Sequence, residues 1–318
     1  MKRNKISLIG GGQIGGNLAL LATQKELGDV LIYDIPNAEG MIKGKALDIS
    51  QLSPLDGYDA NISGSSNPED LKDSDVVIIT AGKPRLPGMS RDDLLETNTK
   101  IISSIGKSVK KYCPKAFLIC ITNPLDAMVS ILQSSSKVKH NMCVGMAGIL
   151  DSSRMKYFLS KELNVSVKNI ETFVLGGHGD TMVPMVRYTT VAGVPIHEFV
   201  KNKKISKKKL SAIVKRTKNG GSEINKLLQK GSAFYAPASS AIQMAESYIK
   251  NKKIILPCAA YLSGEYGIRD VYAGVPVIIG SKGVEKVIEL KLSRLEKKQF
   301  NNSVKEVKKI TNLAINLL

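Results

Sequence analysis

Ile6-Ser7-Leu8-Ile9-Gly10-Gly11-Gly12-Gln13-Ile14-Gly15 lies near the start of the chain, and Leu31-Ile32-Tyr33-Asp34 follows it. The first stretch is a short apolar run leading into G-x-G-x-x-G, with glycines at 10, 12 and 15. The run reads as a buried strand, and the segment 17–26 after the glycines reads as a helix. Gly10 permits a tight turn, Gly12 permits close approach of main chain to a pyrophosphate, and Gly15 permits close packing of helix on strand. An ordinary glycine-rich turn would carry the same residues, so the context decides. Asp34 ends the next strand 19 residues past Gly15, where a carboxylate accepts hydrogen bonds from an adenosine ribose. Strand, glycine turn, helix and acid together predict a dinucleotide site over Gly10, Gly11, Gly12, Gln13, Ile14, Gly15 and Asp34. The carboxylate would repel a 2′-phosphate, so NAD is expected rather than NADP.

Outward from this point, apolar and β-branched runs recur at strand length: 6–9, 30–33, 76–80, 117–122 and 143–146. Helix-length segments lie between several of them, among them 92–112 with Ile101, Ile102, Ile105 and Val109 on one face. Alternation of strand and helix predicts a Rossmann-type doubly wound parallel α/β sheet. Segments 50–68 and 82–90 are rich in turn residues and read as loops. The second half reads as an α+β substrate domain. Strands are expected at 171–175, 185–191 and 275–280, with a turn at 193–195 and helices at 222–228, 237–250 and 295–317. Segment 284–290 reads equally as strand or helix. The division is placed at 148/149, giving domains 1–148 and 149–318.

The 318 residues carry 46 Lys+Arg against 28 Asp+Glu, a formal charge of +18. The lysines are spread along the chain and aromatics are only 5%, so no stacking platform for nucleic acid is apparent. A lysine-rich solvated surface that draws in anionic ligands is the reading preferred. No apolar run approaches the roughly 20 residues of a membrane span. The basic start at Met1–Lys5 is followed by apolar residues that the glycines interrupt at once. It therefore reads as the entry to a strand, and a soluble cytoplasmic protein is expected. Cys113, Cys120, Cys143 and Cys258 are scattered and read as reduced, buried thiols. With three histidines and no Cys/His cluster, no metal site is expected.

His178 stands in Leu175-Gly176-Gly177-His178-Gly179-Asp180, where small neighbours leave an imidazole accessible. His140 and His197 read as ordinary structural or surface residues. Asp151 and Arg154, in Leu150-Asp151-Ser152-Ser153-Arg154, share one helix face, as partners in a cleft or as a surface ion pair. Arg85 and Arg91 flank the Pro/Gly loop after strand 76–80, and Asn123-Pro124 ends another strand at the same sheet edge.

The chain resembles the lactate/malate dehydrogenase family over essentially its whole length, in particular the members that oxidise malate but are built like the lactate enzymes. The motifs are Gly10–Gly15, Pro84-Arg85-Leu86-Pro87-Gly88-Met89-Ser90-Arg91, Thr122-Asn123-Pro124-Leu125-Asp126, Leu150–Arg154 and Gly177-His178-Gly179-Asp180-Thr181-Met182-Val183-Pro184. The resemblance implies reversible oxidation of malate to oxaloacetate, with lactate or another 2-hydroxy acid as the alternative substrate. It implies His178 as proton acceptor and Asp151 as its orienting carboxylate. It implies Arg154 on the substrate carboxylate, Arg91 polarising the carbonyl, Asn123 orienting the substrate, and Asn98, Ile121, Thr122 and Asn123 touching the cofactor. It implies that Arg85 selects the dicarboxylate, where lactate enzymes commonly have Gln. Leu86 departs from the Lys usual there in malate enzymes. A homotetramer is expected, with a dimer as the fallback.

Overall fold

Lys5–Ile9 (β1), Asp29–Tyr33 (β2), Val76–Ile79 (β4), Phe117–Cys120 (β5) and Cys143–Gly145 (β6) are mostly buried on both faces, which only a sheet covered by helices on both sides allows. The computed structural model describes residues 3–83, 91–229 and 231–318. Parallel pairing joins β1 to both β2 and β4, β4 to β5, and β5 to β6. Ile62–Ser65 (β3) pairs with β2 at the edge, so the parallel part runs 3-2-1-4-5-6. The covering helices are Gln13–Gln24 (α1), Glu39–Ser50 (α2), the short Ser53–Asp56 (α3), Arg91–Tyr112 (α4), Leu125–Ser136 (α5) and Gly148–Leu163 (α6). This is the doubly wound order, and its switch point lies between β1 and β4. The turns leaving these two strands therefore face a common crevice at their carboxyl ends.

The second half is built from short strands and long helices. Ile170–Glu171 (β7), Val174–Leu175 (β8), Val183–Pro184 (β9), Thr190–Val191 (β10) and Val194–Pro195 (β11) form two small antiparallel sheets. Ile196–Lys201 (α7), Lys207–Lys218 (α8), Gly220–Leu228 (α9) and Tyr235–Ile249 (α10) follow. Ile254–Ser263 (β12), Arg269–Gly280 (β13) and Gly283–Val287 (β14) then form an antiparallel run whose β12 docks on β6 through Ala259 and Gly145. The main sheet therefore has nine strands, and the second half extends it. Arg294–Ile315 (α11) ends the fold, started by a capping box between Ser293 and Glu296.

Several expectations need correction. The loop expected at 50–68 contains α3 and β3; the sequence Ile-Ser-Gly-Ser of β3 has too few apolar residues to announce a strand. The strand expected at 185–191 is mostly a 3₁₀ turn, Val186–Tyr188, because Tyr188 and Thr189 bond back to Met185 and Val186. The strand expected at 171–175 splits into β7 and β8, which join different sheets. Segment 284–290 resolves as strand over Gly283–Val287. All four cysteines are free and buried. Among the described residues, no helix is long and apolar enough to cross a membrane.

Candidate active site

The turn after β1 carries the glycines for steric reasons. Gly10 has φ +109°, and a Cβ there would lie 2.5 Å from Thr80 Oγ1. A Cβ on Gly15 would fall 1.9 Å from the Gly10 carbonyl oxygen. A Cβ on Gly12 would meet nothing within 4 Å, so this peptide faces open space at the N-terminus of α1. Backbone amides at a helix start, with free room before them, suit a pyrophosphate. Asp34 follows β2, and its Oδ2 accepts from the Gly11 N–H at 2.7 Å while Oδ1 accepts from the Ile35 N–H at 2.8 Å. A carboxylate offers about four lone-pair sites, so acceptor capacity remains for ribose hydroxyls. Beside it, Gly10, Tyr33, Ile35, Ala81, Ile101 and Ile105 help to line a cleft of about 380 Å³, an apolar seat of suitable kind for an adenine. The residues present thus fit a dinucleotide.

The candidate catalytic group is assembled from two distant segments, α6 and the turn that carries His178. Asp151 and Arg154 lie one turn apart on α6, and Arg154 NH1 donates to Asp151 Oδ1 at 2.8 Å. Asp151 Oδ2 accepts from His178 Nδ1 at 2.8 Å. The Asp151 side chain is 2% exposed and that of Arg154 12%, so the surface ion pair is excluded and the pair belongs to the cleft. The arrangement assigns the proton on His178 to Nδ1 and leaves Nε2 to exchange protons. Burial pushes the His178 imidazole down. The charge of Asp151, its hydrogen bond and the charge of Asp126 outweigh this, so the net direction is up. Arg154 Nε is buried without a partner among the described residues, a donor left over for an anion.

Asp126 had no role in the sequence reading beyond its place in the Thr122–Asp126 motif. At the start of α5, its Oδ2 accepts from the His178 N–H at 2.8 Å, while the buried Oδ1 has no partner among the described residues. Burial raises the Asp126 carboxyl to about 6, against the opposing bond from His178. Ser303 on α11 was also missed. Its Oγ accepts from the Gly177 N–H at 2.8 Å, and Thr181 Oγ1 lies 3.0 Å away. Both anchor main chain, and main-chain partners leave no pattern in a sequence.

His178, Asn123, Ile14, Ile121 and Arg154 converge on one cavity of about 210 Å³, joined there by Met146, Leu150, Met182 and Lys218. Its size suits a small acid beside a planar ring. Asn98 is buried on α4; it accepts from the Lys83 N–H at 2.8 Å and donates to the Asn123 carbonyl at 2.7 Å. It thus ties the turn after β4 to the turn after β5. Thr122 Oγ1 donates to the Ala81 carbonyl at 2.7 Å and serves the same junction. Gly11 is buried and Gln13 exposed at the mouth of the crevice. Arg85, with the rest of 84–90, lies outside the described residues, and so does the side chain of Arg91. His140 stacks on Tyr261 with centroids 3.6 Å apart, and His197 is exposed; neither belongs to the site. Among the described residues no group of His, Cys, Asp and Glu is arranged to hold a metal ion.

Residues 4–145 match the model of the lactate/malate dehydrogenase NAD binding domain, and residues 149–317 match that of the lactate/malate dehydrogenase α/β C-terminal domain. The chain belongs to the lactate/malate dehydrogenase family. Solved members of the family superpose over nearly its whole length. Cryptosporidium parvum malate dehydrogenase is 47% identical, with 99% of this chain and 100% of that chain covered at a TM-score of 0.96. The lactate dehydrogenase of the same organism, complexed with lactic acid and nicotinamide adenine dinucleotide, is 44% identical over 99% of both chains, also at 0.96. Plasmodium falciparum malate dehydrogenase is 41% identical over 99% of both chains, at 0.94. Membership makes this an NAD-dependent oxidoreductase of 2-hydroxy acids, whose relatives divide between malate and lactate enzymes.

Proposed function

We propose that this family member is a malate dehydrogenase, interconverting (S)-malate and oxaloacetate. The observation that carries the chemistry is the chain of bonds from Arg154 through Asp151 to His178, both contacts at 2.8 Å, on the wall of one small cavity. Bound NAD supplies a hydride acceptor. His178 Nε2 takes the hydroxyl proton of malate and returns it to oxaloacetate in the reverse direction. Asp151 holds the tautomer and stabilises the imidazolium, a carboxylate's part beside His in the serine triad. Arg154 offers its remaining donors to the carboxylate next to the reacting carbon. Arg91 polarises the reacting carbonyl, Asn123 orients the substrate, and Asn98, Ile121 and Thr122 shape the cofactor's seat. The dinucleotide lies mainly on residues 1–148 and the acid mainly on 149–318. The reading includes work in the cytoplasm, supported by four unpaired buried thiols.

The choice of malate rests on Arg85. A guanidinium there pairs with the distal carboxylate of oxaloacetate and faces a bare methyl group with pyruvate. Leaving one side of a buried pair empty costs about 3–5 kcal/mol. A preference for oxaloacetate over pyruvate of about 10²–10⁴ in kcat/KM is therefore expected. The deciding experiment is NADH oxidation with both substrates, on wild type and Arg85→Gln. Equal use of both by the wild type, or an unchanged ratio in the variant, removes the malate assignment. A lactate dehydrogenase is the second reading, favoured by the lactate enzyme of Cryptosporidium parvum at 44% identity, little below the 47% of its malate enzyme.

A further inference from the structure

One cation at the dinucleotide turn has no place in the reading above. Lys45, on the second turn of α2, reaches across to the glycines, and its Nζ donates to the Gly11 carbonyl at 2.7 Å and to the Gly12 carbonyl at 2.9 Å. It lies alongside α1, 3.5 Å from where a Cβ on Gly16 would sit. Burial lowers the Lys45 ammonium, and the charge of Asp34 acts against that. A half-buried ammonium spent on two main-chain carbonyls needs a reason, because a surface lysine would retain more solvent and more side-chain freedom.

The geometry of the peptide supplies one. In a trans peptide the carbonyl and the following N–H lie in one plane and point in opposite directions. The Gly11 carbonyl shares its plane with the Gly12 N–H, and the Gly12 carbonyl shares its plane with the Gln13 N–H. Lys45 draws the Gly11 carbonyl and shares the Gly12 carbonyl with the Gly16 N–H of α1 at 3.0 Å, so both N–H groups turn away from the lysine. Neither N–H has a partner among the described residues. Nothing stands within 4 Å of where a Gly12 Cβ would be. The Gly11 N–H, by contrast, is already held by Asp34 at 2.7 Å. Asp34 and Lys45 therefore grip the turn from its two polar sides. What remains free is a pair of adjacent amides at the start of α1, an arrangement that binds anions.

We infer that Lys45 is a positioning residue for the phosphates of the dinucleotide, holding the Gly11 and Gly12 peptides so that the Gly12 and Gln13 amides face the pyrophosphate. The inference rests on reading Gly10–Gly15 as the dinucleotide turn. It separates Lys45 from the ribose side of the site: the lysine acts through the amides on phosphate and is indifferent to the nucleoside.

The test is equilibrium binding to wild type, Lys45→Met and Lys45→Arg. NADH is followed by its fluorescence, and ADP and adenosine by competition against it. Lys45→Met should weaken NADH and ADP about ten- to hundredfold, as expected for loss of charge-assisted bonds that fix two donors. Adenosine should change by less than about twofold, and Lys45→Arg should recover most of the phosphate-dependent affinity. Unchanged NADH and ADP affinity in Lys45→Met overturns the inference. So does an equal loss for ADP and adenosine, which would make Lys45 a general support of the turn. If Lys45→Met does not fold, Lys45→Gln carries the same comparison, keeping a donor without the charge. Failure of the wild type itself to bind NADH or ADP would instead overturn the reading of the glycine turn.

Discussion

Asp151 and His178 meet at 2.8 Å across 27 residues of sequence, and each acts on the other's chemistry. Asn at position 178 cannot exchange a proton at the substrate oxygen. His178→Asn should lower kcat by about 10²–10⁴, the usual share of general acid–base catalysis, while NADH still binds in a fluorescence titration. Turnover near that of wild type would remove His178 from the mechanism. Asp151→Asn probes the electrostatics. Burial alone pushes the imidazole down, and it is Asp151, with help from Asp126, that lifts it. On the proposed mechanism, reduction of the 2-oxo acid needs the imidazolium, so its kcat/KM is full below the His178 pKa and falls as pH rises through it. Without the Asp151 charge, burial and the neighbouring Arg154 dominate, and the fall should move to lower pH. In the oxidation direction the rise with pH should move the same way. Profiles that superpose for wild type and Asp151→Asn would show that Asp151 does not set this proton. Small neighbours and helical spacing drew attention to His178, Asp151 and Arg154 in the sequence, but left a surface ion pair open for the last two; their roles came from the family resemblance. Asp126 and Lys45 were not, because each holds main-chain atoms of a distant turn, and any residue type supplies those.

α11 belongs to the far end of the chain, yet it braces the catalytic turn. Its start is fixed by the Ser293–Glu296 capping box, and Arg187 grips Glu296 from the segment after β9. Its buried Ser303 then accepts from the Gly177 N–H at 2.8 Å, one residue before His178. Ser303→Ala removes that acceptor and leaves a buried N–H unpaired, which costs about 1–3 kcal/mol. Urea unfolding should show a loss of stability of that order. kcat/KM should fall as well, because the peptide that carries His178 loses an anchor. An unchanged midpoint and unchanged kinetics would mean that the turn holds itself. The helix was readable from Val304, Val307, Ile310 and Ala314 on one face; three of them are buried, and Ile310 is 37% exposed. Its role was not, since a serine among apolar residues looks like any tolerated small residue. α8 escaped for another reason: the run Lys207-Lys208-Lys209 reads as solvated charge. Only Leu210, Ile213 and Thr217 are buried behind the Ser206 cap. β3 was hidden because edge strands need little apolar sequence when the neighbouring strand supplies the register.

At the scale of the molecule, the charge of +18 and the lysine-rich surface suit an enzyme that draws in anionic acids. Some of that surface is not suited to water. Leu47 on α2 is 62% exposed, and Gly40 and Gly44, two turns and one turn before it, are exposed on the same helix face. A Cβ at either glycine would meet nothing within 4 Å, so neither is required by the fold of one subunit. Gly in a helix interior costs about 0.5–1 kcal/mol relative to Ala. Two of them in register with an exposed leucine give a face on which another helix can approach closely. The sequence alone made α2 hard to interpret, because its apolar residues are spread around the helix instead of forming a single stripe. Burial separates them: Ile42, Ala46 and Ile49 face the core, and the Gly40–Gly44–Leu47 line faces out. We therefore expect this face to lie between subunits of a homotetramer, whose mass by light scattering would be four times the 34.4 kDa of one chain. Leu47→Glu would place a carboxylate in that contact, where it costs several kcal/mol unless it is paired. The variant should scatter as a smaller species at micromolar concentration, with helix content by circular dichroism unchanged, because the leucine is largely exposed within its own subunit. A monomeric wild type would reject the tetramer. A tetrameric Leu47→Glu would leave the tetramer but move its contacts away from α2.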